Sequence, residues 1–162
     1  MEIIKVDGGM ADALAPLVAG FRVVLNSFRG PVTEPDIEGG KEELLFYLEK
    51  GLPVYAAVEG NEPIGYMVLR IDEPCLWVES LFVRAEHRRK GVASLLFDKA
   101  EEIAAEMGED TVYNYIHPNN ERVIGFLRSR GYTVLNLIEV RKPYSGEKPA
   151  MKIGVGKNEF DY

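Results

Sequence analysis

Hydrophobic and polar positions along the chain repeat with two periods that alternate, and the changes of period mark out the elements. "EIIKV" (2–6) reads as a short strand closed by Asp7-Gly8-Gly9. Met10, Leu14, Leu17, Val18, Phe21, Val24, Leu25 and Phe28 then recur at helical spacing, with Pro16 and Gly20 as possible interruptions. The segment "RGPVTEPDIEGG" (29–40) has loop composition, and "KEELLFYLEK" predicts a helix stopped by Gly51. Three strand-like runs follow, "PVYAAVE", "PIGYMVLRI" and "CLWVESLFV", joined only by "GNE" and "DEP". Connectors that short join antiparallel neighbours, so residues 53–83 predict a meander.

The helical period then returns. Val92, Leu95, Leu96, Ala100, Ile103, Ala104 and Met107 share one face of residues 91–107, and Asp98, Lys99, Glu101, Glu102 and Glu106 lie opposite. "TVYNYIH" (111–117) is a strand that a helix links to the previous one, which makes that pair parallel. "NERVIGFLRSRG" predicts a further helix, "YTVLNLIEVRK" (132–142) a long strand, and "AMKIGV" (150–155) a strand pairing with it. The sum is a mixed α/β sheet.

Composition narrows the classes. The 162 residues are 46% hydrophobic and 28% charged, as in a globular protein, and no repeat or low-complexity segment divides them, so one domain (1–162) is expected. No apolar run suggests a membrane span, and the N-terminus lacks the pattern of a signal peptide. A single cysteine, Cys75, leaves no internal disulfide and fits a reducing cytoplasm. The net charge of −7 argues against general nucleic-acid binding. His87 and His117 stand apart with no cysteine partner, so no metal site is expected.

Against that acidic background, "FVRAEHRRKGVASLLFD" (82–98) gathers Arg84, Arg88, Arg89 and Lys90 between a strand and a helix. A helix start offers unpaired N–H groups and a partial positive charge, and so attracts anions. Gly91 permits close approach of backbone to a ligand, while Ala93 and Ser94 keep the first turn small. Arg88-x-x-Gly91-x-Ala93 is the spacing a pyrophosphate site needs. The tail's "GVGKN" lacks the leading Gly and the Ser or Thr of a phosphate loop.

This stretch resembles the acyl-CoA-binding motif of the GNAT superfamily of N-acetyltransferases: Gln or Arg, two residues, Gly, one residue, then Gly or Ala. "NERVIGFLRSRGY" resembles a second family segment, in which an Asn opens a helix that ends in Gly-aromatic; Asn120, Gly131 and Tyr132 occupy those places. The resemblance runs from residue 2 to about 140. It implies a mixed sheet of six or seven strands with about four helices, an antiparallel meander followed by a parallel strand splayed at a V-shaped cofactor wedge. It implies acetyl-CoA as co-substrate and transfer of its acetyl group to a primary amine by direct attack in a ternary complex. The amine would be a protein N-terminus, a lysine or a small molecule. Backbone of Leu81, Phe82 and Val83 would bind the pantetheine arm. Amides of Arg89, Lys90, Gly91, Val92, Ala93 and Ser94, with the Arg88 and Arg89 side chains, would hold the pyrophosphate, and Asn120 would touch the cofactor.

Glu79, one residue before the expected bulge, is the candidate general base; set among Trp77, Leu81 and Phe82, its carboxyl would have a raised pKa. An N–H near Leu81 is the candidate oxyanion donor. Where many members carry a Tyr thought to protonate the CoA sulfur, this chain has Leu127, which leaves Tyr115 or Tyr113 as substitutes. It also leaves open a catalytically weak or inactive acyl-CoA-binding module. Glu34, Asp36 and Glu38 either greet a cationic acceptor or simply solvate their loop. Monomer and homodimer both remain compatible, and neither nucleic acid nor membrane is an expected partner.

Overall fold

The computed structural model describes residues 1–28 and 30–162; Arg29, in the expected loop, lies outside the described residues. Two compact units divide the chain, Met1–Gly125 and Phe126–Tyr162.

The first unit carries a five-stranded sheet in the order β1-β2-β3-β4-β5. The strands are β1 (Glu2–Lys5), β2 (Val54–Glu59), β3 (Glu62–Asp72), β4 (Cys75–Val83) and β5 (Tyr113–Asn114). The first four pair antiparallel, and β4 with β5 parallel, as the connector lengths require. Three helices accompany them: α1 (Ala11–Ser27), α2 (Ile37–Glu49) and α3 (Val92–Glu106). A fourth, α4 (Glu121–Ser129), begins here and ends in the second unit.

Alternation along the strands serves two packed faces. Tyr66, Val68, Val54 and Ala56 join Leu14, Leu17 and Val18 of α1 and Leu44 and Tyr47 of α2 in one buried cluster. From the neighbouring position on β3, Gly65 meets α3, where an added Cβ would lie 3.2 Å from Val92 Cγ1. Leu96, Phe97, Ala100 and Ala104 of α3 are buried as well.

Helix α1 runs unbroken through Pro16 and Gly20. Gly20 has a packing reason: a Cβ there would lie 2.9 Å from the ring carbon Cζ of Phe82. By length and composition alone, Gly8–Ser27 is long and apolar enough to cross a membrane, a feature the run-length reading passes over; its apolar face is buried in this unit's core. Helix α2 begins at Ile37, four residues before the sequence pattern suggests. Asp36 caps it by accepting from Gly39 N at 2.9 Å, and Gly40 is needed because its Cβ would fall 2.6 Å from Ala15 O. The residues that look like loop thus start a helix pressed against α1.

The second unit departs from expectation. Residues 132–142 form no strand, and Val134, Leu135 and Leu137 are 87%, 70% and 68% exposed. Lys152–Val155 (β6) pairs instead with Asn158–Asp161 (β7), across a two-residue turn at Gly156-Lys157. Gly156 takes the positive φ of 60° that such a turn demands. A strand needs a hydrogen-bonding neighbour as well as the right side chains, and β6 finds its neighbour locally. The expected six or seven strands are therefore five in the sheet and two in this hairpin.

Candidate active site

Register creates the first special feature. Val68 pairs with Ser80 and Leu69 with Val78, so Glu79 has no partner on β3 and forms a bulge. The bulge falls on the candidate base itself, one residue earlier than expected. Parallel pairing of β4 with β5 stops at Val78–Asn114. Among the described residues no strand borders Glu79–Val83 on that side, so the backbone edge of Leu81–Val83 has no strand partner, although Val83 O accepts from Arg88 Nε. The strand read as 111–117 is thus only two residues long because its neighbour diverges.

The turn after β4 supplies the second feature. Arg89 (φ 59°) and Gly91 (φ 83°) both take left-handed backbone, an unfavourable state for arginine and an easy one for glycine. Gly91 occupies the cap position of α3 and offers no side-chain hydrogen bond to the helix start. Leu95 N bonds Gly91 O at 3.0 Å, leaving the amides of the first turn directed outward. A Cβ on Gly91 would meet nothing within 4 Å, so the glycine serves the turn's conformation, and the space above it is open.

The clustered cations differ in their employment. Arg84 pairs with Glu62, and His87 Nδ1 lies 3.8 Å from Glu59. Arg88 is half-buried; its Nε donates to Val83 O at 2.9 Å, and its guanidinium lies 5.4 Å from the Phe82 ring centre. Burial, and then the charge of Arg122, lower its pKa against the pull of Glu86. A cation held beside another cation and partly shielded from water is one that an anion stabilises. Arg122, in the first turn of α4, is a residue that the linear pattern did not flag, because it lies 34 positions from Arg88 (122 minus 88). Arg89 and Lys90 are exposed. Asn120 caps α4, accepting from Val123 N at 3.2 Å, so its carbonyl oxygen already has structural work.

Glu79 does not sit among apolar neighbours. It is exposed and accepts from Arg70 Nε at 3.1 Å. Arg70 also pairs with Asp72 and lies over the rings of Trp77 (5.4 Å) and Tyr115 (5.9 Å). Desolvation lowers the Arg70 pKa, and the hydrogen bond to Glu79 with the charges of Asp72 and Glu79 more than offsets it, so the net shift is upward. Tyr113 and Tyr115 both pack on Trp77, at 4.8 and 4.6 Å between ring centres, and Tyr115 is 61% exposed. The pKa of Tyr113 is raised, chiefly by Cys75. Leu127 is 3% exposed.

Two cavities open beside α1, and the first also borders α2. One of about 300 Å³ is lined by Arg22, Asn26, Glu34, Asp36 and Glu43 among others, the next of about 530 Å³ by Arg22, Asn26, Thr33 and His117. Of the three acids expected near an acceptor, Glu34 and Asp36 line the first cavity and Glu38 enters the first turn of α2. Glu43 is tied to Arg22 Nε (2.6 Å) and to the Tyr47 hydroxyl (2.5 Å). Among the described residues no group of three His, Cys, Asp or Glu side chains is placed to hold a metal.

Comparison with known proteins agrees with this geometry. No curated protein is significantly similar in sequence. In structure the chain is similar to a probable acetyltransferase (TM-score 0.72, 21% identity, covering 91% of this chain and 100% of that one). It is also similar to the ribosomal-protein-alanine N-acetyltransferase of Brucella melitensis biovar Abortus 2308 (0.68, 18%, 89% and 100%). The PaiA N-acetyltransferase of Thermoplasma acidophilum in complex with coenzyme A is a third such structure (0.68, 20%, 80% and 87%). These likenesses carry the fold. The family model "Acetyltransferase (GNAT) family" matches residues 22–132, more than half of the sequence, and by that match the chain belongs to the GNAT family of acetyltransferases.

Proposed function

We propose that this acetyltransferase uses acetyl-CoA to acetylate a primary amine, whether a protein N-terminus, a lysine or a small molecule, by direct attack in a ternary complex. The observation that carries the reading is the bulge at Glu79, placed where β4 leaves β5 and its backbone edge opens. The residues present suit CoA: the edge of Leu81, Phe82 and Val83 can pair with the pantetheine amides as a strand would, apart from Val83 O, which Arg88 Nε engages. The outward amides of Arg89–Ser94 and the Arg88 charge suit a pyrophosphate. Asn120 keeps its amide nitrogen for the cofactor while its oxygen caps α4. The named coenzyme A complex of a similar structure supports the same choice.

Acetyl-CoA supplies the acetyl thioester. In this reading Glu79 takes the proton of the incoming amine, directly or through a water, and a β4 amide near Leu81 donates to the carbonyl oxygen. Tyr115, beside the base on the Trp77 stack, is the candidate proton donor for the departing sulfur, since Leu127 has no hydroxyl. We read residues 1–162 as one acetyltransferase domain, monomeric or homodimeric. It acts in a reducing cytoplasm, for which the single Cys75 is the support, and needs neither nucleic acid nor membrane.

The test supplies acetyl-CoA with a panel of amines and peptides and measures release of CoA thiol. Turnover that falls about 100-fold or more in Glu79→Gln supports the base assignment; unchanged turnover removes it. Tight acetyl-CoA binding without transfer to any acceptor would favour a non-catalytic acyl-CoA-binding module instead.

A further inference from the structure

The carboxylate assigned as base sits on a bulge, outside the regular ladder, on a side chain with three rotatable bonds. Something must aim it. The register places Arg70 of β3 opposite Trp77 of β4, two residues before Glu79. The planar guanidinium of Arg70 lies over both Trp77 and Tyr115, whose rings stack 4.6 Å apart with planes 11° from parallel. From that seat its Nε reaches Glu79 Oε2 at 3.1 Å while Nη1 holds Asp72. Two donors on one rigid fork thus serve two carboxylates from different strands, a geometry that the single ammonium of lysine does not reproduce.

We propose that Arg70, steadied by the Trp77–Tyr115 stack, is a positioning residue for Glu79: it engages Oε2 and leaves Oε1 to accept the proton of the amine. This rests on Glu79 being the base. A partly exposed ion pair of this kind adds little to stability, so its effect belongs to the rate. Around this pair lie Asp72 on β3, held by Arg70, and Tyr115 just beyond β5.

The experiment compares full-length wild type with Arg70→Gln, Arg70→Lys, Glu79→Gln and the Arg70→Gln/Glu79→Gln double variant. CoA release is measured with acetyl-CoA and four acceptors: spermidine, L-lysine amide, and peptides starting with alanine or serine. The orientation of the Glu79 side chain is compared in crystal structures of wild type and Arg70→Gln. Arg70→Gln should lower kcat about tenfold or more, with the KM for acetyl-CoA changing about twofold at most. It should also leave the Glu79 side chain in a different or disordered orientation. Arg70→Lys should recover only part of the lost rate, and Arg70→Gln should cost nothing further once Glu79 is glutamine. A wild-type kcat in Arg70→Gln overturns the proposal, whether or not the Glu79 side chain moves. Full kcat in Glu79→Gln instead overturns the base assignment, whatever Arg70 does. If none of the four acceptors supports turnover, the crystal structures decide alone, and an unchanged Glu79 orientation in Arg70→Gln overturns the proposal.

Discussion

The proposed cofactor cradle and the proposed catalytic corner lie at opposite ends of β4's open stretch and are built from different materials. The cradle is backbone: a splayed strand edge, two left-handed residues at Arg89 and Gly91, and a helix start without a side-chain cap. The corner is side chains: Glu79, Arg70, Asp72, Trp77 and Tyr115, brought together from three stretches of chain by strand register. Backbone sites depend on conformation and tolerate many side chains, whereas a side-chain site depends on each partner's identity. Substitutions should therefore separate binding from turnover.

The largest effect expected on the cradle comes from Gly91→Val. Space is open there, so the whole penalty is conformational: a β-branched residue at φ 83° should cost about 1–3 kcal/mol of unfolding free energy in denaturant titration. Acetyl-CoA should bind about tenfold more weakly or worse by calorimetry. Gly91→Asn, which tolerates left-handed backbone better, should recover most of both losses. Arg88→Ala removes a charge-assisted contact worth about 1.5–3 kcal/mol, so its Kd for acetyl-CoA should rise about 10- to 100-fold, with a weaker dependence on salt than wild type.

Beneath the two regions, Gly20→Ala tests how tightly Phe82 is seated. The new methyl would meet the ring at 2.9 Å, and overpacking of about 1–3 kcal/mol outweighs the roughly 1 kcal/mol gained in helix propensity. A net fall of up to about 2 kcal/mol in thermal or chemical unfolding is expected. The smallest effect concerns Tyr66, fully buried in the core beneath α1 with a hydroxyl that, like that of Ser80, has no hydrogen-bond partner of normal geometry. Burial pushes its pKa up from 10.0, opposed in part by Ser80. The neutral form is favoured in the folded state, so the associated stability is complete below pH 10 and declines as pH rises above it, where the unfolded chain ionises first. Tyr66→Phe should flatten that alkaline slope and cost about 1 kcal/mol or less at neutral pH, because no good hydrogen bond is lost.

The same contrast explains what could be read from sequence. The cradle was legible because its determinants are contiguous: Arg88, Gly91 and Ala93 at fixed spacing between a strand and an amphipathic helix. Glu79 was legible as a candidate, yet its surroundings were not. Arg70 reaches it only because β3 and β4 pair with Arg70 opposite Trp77, and a bulge shifts that register by one. The charge of Arg122 bears on Arg88 for a similar reason, through the placement of α4. Residues 37–40 read as loop because glycines are poor helix formers, but the Asp36 cap and the close approach of Gly40 to Ala15 outweigh propensity. Residues 132–142 have the composition of a strand, and composition alone supplied no pairing partner.

The central claim, that one region binds acetyl-CoA and the other moves the proton, is tested most directly by measuring the acetyl-CoA Kd and the kcat of acetyl transfer for Glu79→Gln and Arg88→Ala side by side. Glu79→Gln should keep Kd within about twofold of wild type while kcat falls about 100-fold or more. Arg88→Ala should weaken binding about 10- to 100-fold with kcat at saturating acetyl-CoA nearly unchanged. Loss of binding in Glu79→Gln, or full turnover with glutamine at that position, would contradict the account.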